Sequence, residues 1–215
     1  MKSKIFILPL SLLLFVSCKK EEHFESEKGD GTPPGKVTLR EYKPLFGGAR
    51  FYYDIPADKD LLGVKAVYTN KNEKSFEFLA SYFVDSLDVY GFASTDEYTV
   101  QLFAVDRAGN TSEPLDVKVQ PLEPAYKRVA ETVTAKAGFS SFFLDWANEL
   151  EQNVNIYVDY SFTQNGENRN LTTVFSSNRP IDRRFVNNLR LGTNGKVGVK
   201  VRVEDKFGNI TENVD

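Results

Sequence analysis

Apolar and polar residues alternate along most of the chain beyond residue 35. The clearest runs are Tyr98, Val100, Leu102, Ala104 and Val197, Val199, Val201, Val203. A period of two places every second side chain of a strand in a core and the others in water. We find no helical pattern of ten or more residues, and the only short helix-like stretch is Trp146 to Gln152. The pattern therefore predicts an all-β protein.

The alternating pattern occurs in two copies. Asp106 to Asn110 recurs ninety-nine residues later as Asp205 to Asn209, and Phe51 to Ile55 recurs ninety-one residues later as Phe142 to Trp146. Two units of about ninety residues each match an immunoglobulin-like or fibronectin type III-like β-sandwich, which has roughly seven short strands. In both turn segments Asp caps the turn and Gly or Asn supplies positive φ, so we interpret them as tight turns.

The strands of each unit can be assigned from the same pattern. The first unit predicts seven, at 36–42, 49–53, 62–69, 75–80, 87–89, 97–106 and 115–120. The second predicts six, at 128–134, 139–145, 154–160, 171–175, 183–189 and 196–205. Its seventh strand is missing, so either the last sheet has an open edge or the chain is shorter than the protein it derives from.

Two further features concern the sandwich ends. Tyr98 is expected to be a tyrosine corner whose hydroxyl bonds to the preceding turn, whereas its repeat partner is Val197. The junction Pro121-Leu122-Glu123-Pro124 is short and contains two prolines, so it should couple the units semi-rigidly.

The N-terminus has the features of a signal peptide. Lys2 and Lys4 precede an apolar run from Ile5 to Val16, which is shorter than the roughly 20 residues of a transmembrane helix. The residues Leu14 to Cys18 resemble the lipobox of bacterial lipoproteins, in which the cysteine becomes the acylated first residue. Cys18 is the only cysteine of the chain, so we predict that it carries the lipid.

A polar segment follows the predicted lipidation site. It has no apolar periodicity and should be a flexible tether that reaches roughly 55 Å when extended, at about 3.3 Å per residue. The predicted organisation is therefore signal peptide 1–17, lipidated cysteine and tether 18–35, and sandwiches 36–121 and 122–215. Lys19-Lys20-Glu21-Glu22 resembles the surface-export signal of Bacteroidota lipoproteins, although four charges could equally be solvated tether. This favours the outer membrane, facing the cell exterior.

Charge and composition exclude several classes of function. Removal of Lys2 and Lys4 leaves 25 basic residues against 30 acidic ones, which changes the formal charge from −3 to −5. Without a basic stripe, nucleic acid is not an expected partner. One cysteine cannot form an internal disulfide or a cysteine-based zinc site. The only histidine, His23, lies in the tether, where nothing positions it as a base.

Carboxylate pairs are the remaining candidates for metal binding or catalysis. Asp58 with Asp60, or Asp85 with Asp88, could bind calcium, but neither pair has the glycine-punctuated spacing of a calcium loop. Glycosidase chemistry needs two carboxylates across a sugar cleft, and a small filled sandwich offers none. We therefore expect no metal, no cofactor, no catalytic residue and no enzyme activity.

Exposed aromatic side chains are the candidates for sugar binding. The rings considered are Tyr52, Tyr90, Trp146, Tyr157 and Tyr160. The alternative is burial, because half of the rings on alternating strands face the core and sandwiches commonly bury a tryptophan. Separately, Asp85-Ser86-Leu87 resembles the short O-glycosylation motif of Bacteroidota, which makes Ser86 a candidate modification site.

Four segments carry a wider resemblance, namely 30–37, 47–49, 60–68 and 104–110. They resemble a family of Bacteroidota surface lipoproteins whose tandem immunoglobulin-like domains have no known function. The resemblance implies two such modules, usually followed by a discoidin-like module that this sequence lacks, on proteins associated with polysaccharide-uptake systems. It implies a non-catalytic glycan-binding or spacer component, with polysaccharide or other outer-membrane uptake proteins as partners. The alternative is a structural or adhesive protein-interaction module with no sugar affinity.

Overall fold

The computed structural model describes residues 31–70, 73–191 and 195–214. Cys18, His23 and the predicted signal peptide lie outside these residues. Within the described ranges, no helix is long and apolar enough to cross a membrane.

Within the described residues, the first sandwich contains seven antiparallel strands, as its alternating pattern predicts. They are β1 (Thr38–Leu45), β2 (Gly48–Asp54), β3 (Leu61–Thr69), β4 (Ser75–Ser81), β5 (Ser86–Tyr90), β6 (Tyr98–Asp106) and β7 (Leu115–Val119). One sheet has the order β1-β2-β5 and the other β4-β3-β6-β7. Phe51, Val64 and Leu102 point inward from the two sheets and are fully buried in one core.

The second sandwich repeats this order around a core of its own. Its elements are α1 (Ala125–Thr132), β8 (Thr134–Gly138), β9 (Ser141–Ala147), β10 (Val154–Gln164), β11 (Glu167–Ser177), β12 (Ile181–Val186) and β13 (Val197–Asp205). The sheets are β12-β9-β8 and β11-β10-β13. In the place of a strand corresponding to β7, Val214 forms an isolated bridge with Val201.

The strand order defines an all-β fold of the immunoglobulin and fibronectin type III kind. In a constant-type immunoglobulin domain the fourth strand joins the sheet of the first two strands. Here β4 pairs with β3, and β11 pairs with β10. Each unit therefore has the fibronectin type III arrangement, with the fourth strand on the sheet of the third.

The predicted strand at 128–134 is wrong, because residues Ala125–Thr132 form a helix. Ala125, Tyr126, Val129 and Ala130 are buried, and their spacing places them on one face of a helix. Pro124 precedes the first turn, where its missing N–H costs no hydrogen bond. The helix-like reading of Trp146 to Gln152 is also wrong, since β9 continues to Ala147 and a turn closed by Asn148 follows.

The expected tyrosine corner and tight turns are confirmed. The hydroxyl of Tyr98 accepts a hydrogen bond of 3.2 Å from the Ser94 backbone N–H. Gly109 and Gly208 have φ values of +90° and +84°, a region that favours glycine. In both turns the first aspartate accepts hydrogen bonds from the backbone and amide of the final asparagine.

The first sandwich has two ends, which we call poles. The entry pole contains Gly35 and the loops 55–60, 82–85 and 107–112. Two hydrogen bonds join segments of this pole: Gly35 N–H donates to Asp58, and Arg107 N–H donates to the Asp60 carbonyl. The junction pole contains the Phe46–Gly47 turn and residues 91–93, and the second sandwich meets it there.

Candidate functional site

The junction between the sandwiches is held by an asparagine of the repeated turn. The amide of Asn209, which is 8% exposed, donates to the carbonyl of Gly91 at 3.1 Å and to Asp205 at 2.8 Å. Gly91 is required at this contact, because a Cβ there would lie 2.7 Å from the Tyr68 hydroxyl and 3.0 Å from the Phe207 ring. The second sandwich therefore contacts the first through a buried, directional hydrogen bond.

The linker and the helix add contacts on either side of Asn209. Leu122 N–H donates to the Leu45 carbonyl at 3.0 Å, and Gly47 N–H donates to the Leu122 carbonyl at 2.9 Å. The Tyr126 hydroxyl donates to the Ala93 carbonyl at 2.8 Å. Burial, followed by the nearby Asp205, raises the pKa of Tyr126 to about 12, so this donor keeps its proton at neutral pH.

Sequence reasoning interpreted the second turn as a turn only and missed its role at the junction. One signal could have indicated it. The repeat places Phe207 where the first copy has Ala108, and the Phe207 ring packs edge-on against Phe76 of the first sandwich, with ring centres 6.0 Å apart.

Two of the five candidate rings lie on one face of the first sandwich. Tyr52 of β2 and Tyr90 of β5 both point outward from the sheet β1-β2-β5, and each is half-buried. Tyr90 pairs with Gly48, four residues before Tyr52, so the backbone positions of the two tyrosines are roughly 13 Å apart along the strand direction at about 3.3 Å per residue. A Cβ at Gly48 would lie 2.6 Å from Cδ1 of Tyr90. The glycine thus lets this ring lie against the strand.

An ion pair fills the space between the two rings. Arg50 donates to the Asp88 carboxylate through Nε at 2.5 Å and through Nη2 at 2.7 Å. Hydrogen bonding to Asp88, and then to Tyr52, raises the pKa of Arg50. The Nζ of Lys43 lies 5.1 Å from the centre of the Tyr52 ring. We call this face, formed by Lys43, Tyr52, Arg50, Asp88 and Tyr90, the tyrosine strip.

The tyrosine strip continues into a small pocket at the junction. Tyr90, Glu151, Lys206 and Phe207 are among the residues that line this pocket of about 290 Å³. A larger groove of about 720 Å³ lies at the junction too, between Tyr98 and Tyr126 on one side and residues 209–214 on the other. Polar side chains and rings from both sandwiches therefore converge at the junction.

The structure separates the other three candidate rings from the strip. Trp146 is 2% exposed and lies in the second core, so it cannot stack on a sugar. For this ring the structure supports the other expectation from the sequence, namely that the tryptophan is buried. Tyr160 is half-buried and packs against Phe142. Tyr157 faces outward on β10, where its hydroxyl donates to Glu204 at 2.8 Å and Arg202 lies 5.6 Å from the ring centre.

The remaining candidate residues lie on the first sandwich. Ser86 is half-buried in β5 and pairs with Tyr52. Asp85 forms an ion pair with Arg40, and Asp88 forms one with Arg50. Asp58 accepts from Gly35 N–H at 3.0 Å. Within the described ranges, no group of three or more histidine, cysteine, aspartate or glutamate side chains could hold a metal ion.

Comparison with known proteins matches the first sandwich to a family. Residues 34–121 match the model of a domain of unknown function (DUF4959). No curated protein matches the chain.

Solved structures with related folds include three chicken proteins. A segment of two fibronectin type III domains from tenascin is 15% identical, with a TM-score of 0.36, over 85% of this chain and 97% of that one. The FN1–FN3 domains of CNTN1 are 13% identical, with a TM-score of 0.34, over 85% and 64%. The interferon gamma receptor alpha chain is 9% identical, with a TM-score of 0.32, over 85% and 96%.

Proposed function

We propose that the chain is a non-catalytic lipoprotein on the cell surface, whose two sandwiches act as a stiff spacer in a polysaccharide-acquisition system. The observation that carries the spacer role is the buried junction, where Asn209 and Tyr126 of one sandwich bond to carbonyls of the other. A buried hydrogen bond that breaks on bending leaves its groups unpaired and costs about 1–3 kcal/mol. Two such bonds, together with the backbone hydrogen bonds of Leu122 in the linker, favour one orientation of the second sandwich relative to the first.

Anchoring to the outer membrane is the second part of the proposal. It rests on the resemblance of Leu14 to Cys18 to a lipobox and of Lys19 to Glu22 to an export signal. One acyl chain gives only marginal binding, whereas several chains on one cysteine hold firmly at about 0.8 kcal/mol per buried methylene. The predicted tether would then join the lipid anchor to the first sandwich at Gly35.

The tyrosine strip favours glycan as the ligand. Sugars present apolar C–H faces that lie on aromatic rings and hydroxyl groups that bond to charged side chains. The two outward rings, Tyr52 and Tyr90, supply the aromatic surface. The side chains of Arg50, Asp88 and Lys43, which lie between and beside the rings, supply the charged groups. The two tyrosines are roughly 13 Å apart along the strand direction, at about 3.3 Å per residue of backbone, and this spacing suits an extended chain of several sugar units rather than one.

Affinity electrophoresis through gels that contain plant, host or microbial polysaccharides tests the glycan role. We expect one polysaccharide to slow residues 31–215, and the double variant Tyr52→Ala, Tyr90→Ala to bind about tenfold more weakly, which is about 1.4 kcal/mol. Tyr157→Ala removes a half-buried ring from the other sandwich and is the matched control. Equal retardation of all three proteins by the binding polysaccharide would contradict a site at the tyrosine strip.

An adhesive protein-interaction module is the second candidate. The observation in its favour is the outer edge of β13, which within the described residues is paired only through the bridges Val201 to Val214 and Glu204 to Ile210. Such an edge can accept a strand from a partner. If no polysaccharide slows the protein, this second candidate becomes the better account.

A further inference from the structure

The entry pole carries a group of exposed apolar side chains that neither the strip nor the junction uses. Phe83 is 78% exposed, Val84 45%, Leu62 43% and Tyr82 38%. The rings of Tyr82 and Phe83 lie against each other, with centres 3.9 Å apart. Tyr82 N–H donates to the Leu62 carbonyl at 3.1 Å, and Val84 N–H donates to the Ser81 carbonyl at 3.1 Å. We call these four residues the apolar tip.

The backbone fixes the tip at the place where the chain enters the first sandwich. Gly35 N–H donates to Asp58 at 3.0 Å, and loop 55–60 leads directly into β3, which begins beside Leu62. The second sandwich contacts the opposite pole, through Gly91 and Ala93. The apolar tip is therefore at the end of the molecule that faces the N-terminal segment.

We propose that the apolar tip inserts into the interface of the bilayer to which Cys18 is anchored, an inference that rests on the proposed lipoprotein function. Sixteen residues separate Cys18 from Gly35; if they form the tether that the sequence predicts, they would span roughly 22 Å on average, at about 5–6 Å times the square root of the residue number. The anchor thus keeps the entry pole close to the membrane. The lipid surface is therefore the partner that the anchor itself would hold beside the tip.

The chemistry of the tip suits the boundary between headgroups and acyl chains. Aromatic rings concentrate at this boundary, where the ring is buried and a polar end stays wet. Tyr82 and Phe83 supply two rings, while Leu62 and Val84 add apolar surface beside them. The neighbouring carboxylate of Asp85 is paired with Arg40, so no unpaired Asp85 charge opposes the approach. Insertion would give the protein a second membrane contact and would orient the two sandwiches away from the lipid.

Tryptophan placed at the tip would report its contact with lipid. The mature protein, which begins at Cys18 and is acylated there as verified by mass, is reconstituted into phosphatidylethanolamine–phosphatidylglycerol vesicles with and without a dibrominated phosphatidylcholine as quencher. Wild-type protein gives the baseline, because its only tryptophan is the buried Trp146. Phe83→Trp and Val84→Trp are expected to lose about half of their added emission to the quencher, as an interfacial side chain does.

Phe139→Trp is the matched control. Phe139 is 99% exposed in the turn between β8 and β9 of the second sandwich. That turn corresponds to Phe46–Gly47 of the first sandwich and therefore lies at the end distant from the entry pole. A tryptophan there should keep its emission.

Each outcome decides the inference. Quenching at 83 and 84 but not at 139 supports it. No quenching at any position of the acylated protein, or equal quenching at all three, overturns it and leaves the lipoprotein function standing. If mass analysis finds no acyl group on Cys18, the proposed function fails instead. The same three variants, coupled through Cys18 to a maleimide lipid, then decide whether the tip contacts a bilayer held at that distance.

Discussion

Asn209→Ala is expected to lower the free energy of unfolding by about 2–3 kcal/mol, because the buried carbonyl of Gly91 and the half-buried carboxylate of Asp205 both lose a donor. The lost bonds are those from the Asn209 amide to the carbonyl of Gly91 and to the carboxylate of Asp205. Equilibrium unfolding in urea, followed by circular dichroism, measures the loss. The backbone bond from Asn209 N–H to Asp205 remains, so the turn itself should persist.

The variant Asn110→Ala separates the stability contributed by the hydrogen bond at the junction from that contributed by the hydrogen bond within the turn. Asn110 donates to Asp106 at 2.7 Å in the same way that Asn209 donates to Asp205, but its turn lies at the entry pole. The control should lose only the bond to the buried Asp106 carboxylate within the turn, about 1–2 kcal/mol, because the backbone bond from Asn110 N–H to Asp106 remains. If both substitutions cost the same, the hydrogen bond to Gly91 contributes nothing to stability and the junction is weaker than proposed.

Leu144→Ala is expected to cost about 3–4 kcal/mol, the loss for a leucine that leaves a cavity in a closed core. Leu144 is fully buried in the core of the second sandwich, among side chains that include Trp146 and Ile156. Because the two cores are separate clusters, the substitution should destabilise the second sandwich, which should then unfold before the first. Near-ultraviolet circular dichroism of Trp146 reports that sandwich alone.

Leu79→Ala is the control for the core substitution. Leu79 has the same side chain but is 58% exposed on β4 of the first sandwich, so its removal should change stability by less than about 0.5 kcal/mol. A loss below about 1 kcal/mol for Leu144→Ala would show that the second core is not closed as described.

The strands could be predicted from sequence because burial follows a period of two. In β6, residues Tyr98, Val100, Leu102 and Ala104 are all buried, as their alternation predicts. Trp146 could also have been assigned to the core by the same rule. It shares its parity with Phe142 and Leu144, and all three are buried.

The helix was missed because eight residues give too short a pattern to distinguish from a strand. Its C-terminal half, Val129 to Thr132, contains β-branched residues that favour strands. What settles the structure is tertiary packing, since one face of α1, formed by Tyr126, Val129 and Ala130, is buried in the core of the second sandwich. Local propensity is a weak guide where such packing decides.

The junction and the tyrosine strip could not be predicted because their partners are distant in sequence. Asn209 bonds to a carbonyl 118 residues away, and the corresponding turn, Asp106 to Asn110, lies at the entry pole without that contact. Tyr52 and Tyr90 come together only because β5 pairs with β2. Sequence named both rings as candidates, and the sheet order placed them on one face.

The distance between spin labels on the two sandwiches is the most direct test of the stiff spacer. Apart from Cys18 the chain has no cysteine, so residues 31–215 with Glu77→Cys and Asn170→Cys carry one label on β4 and one on β11. Pulsed dipolar spectroscopy should give one narrow distance distribution, as narrow as that of Thr38→Cys with Glu77→Cys within the first sandwich. Adding Asn209→Ala should broaden it. A broad distribution in the protein that retains Asn209 would contradict the account, because the sandwiches would then swing about the linker.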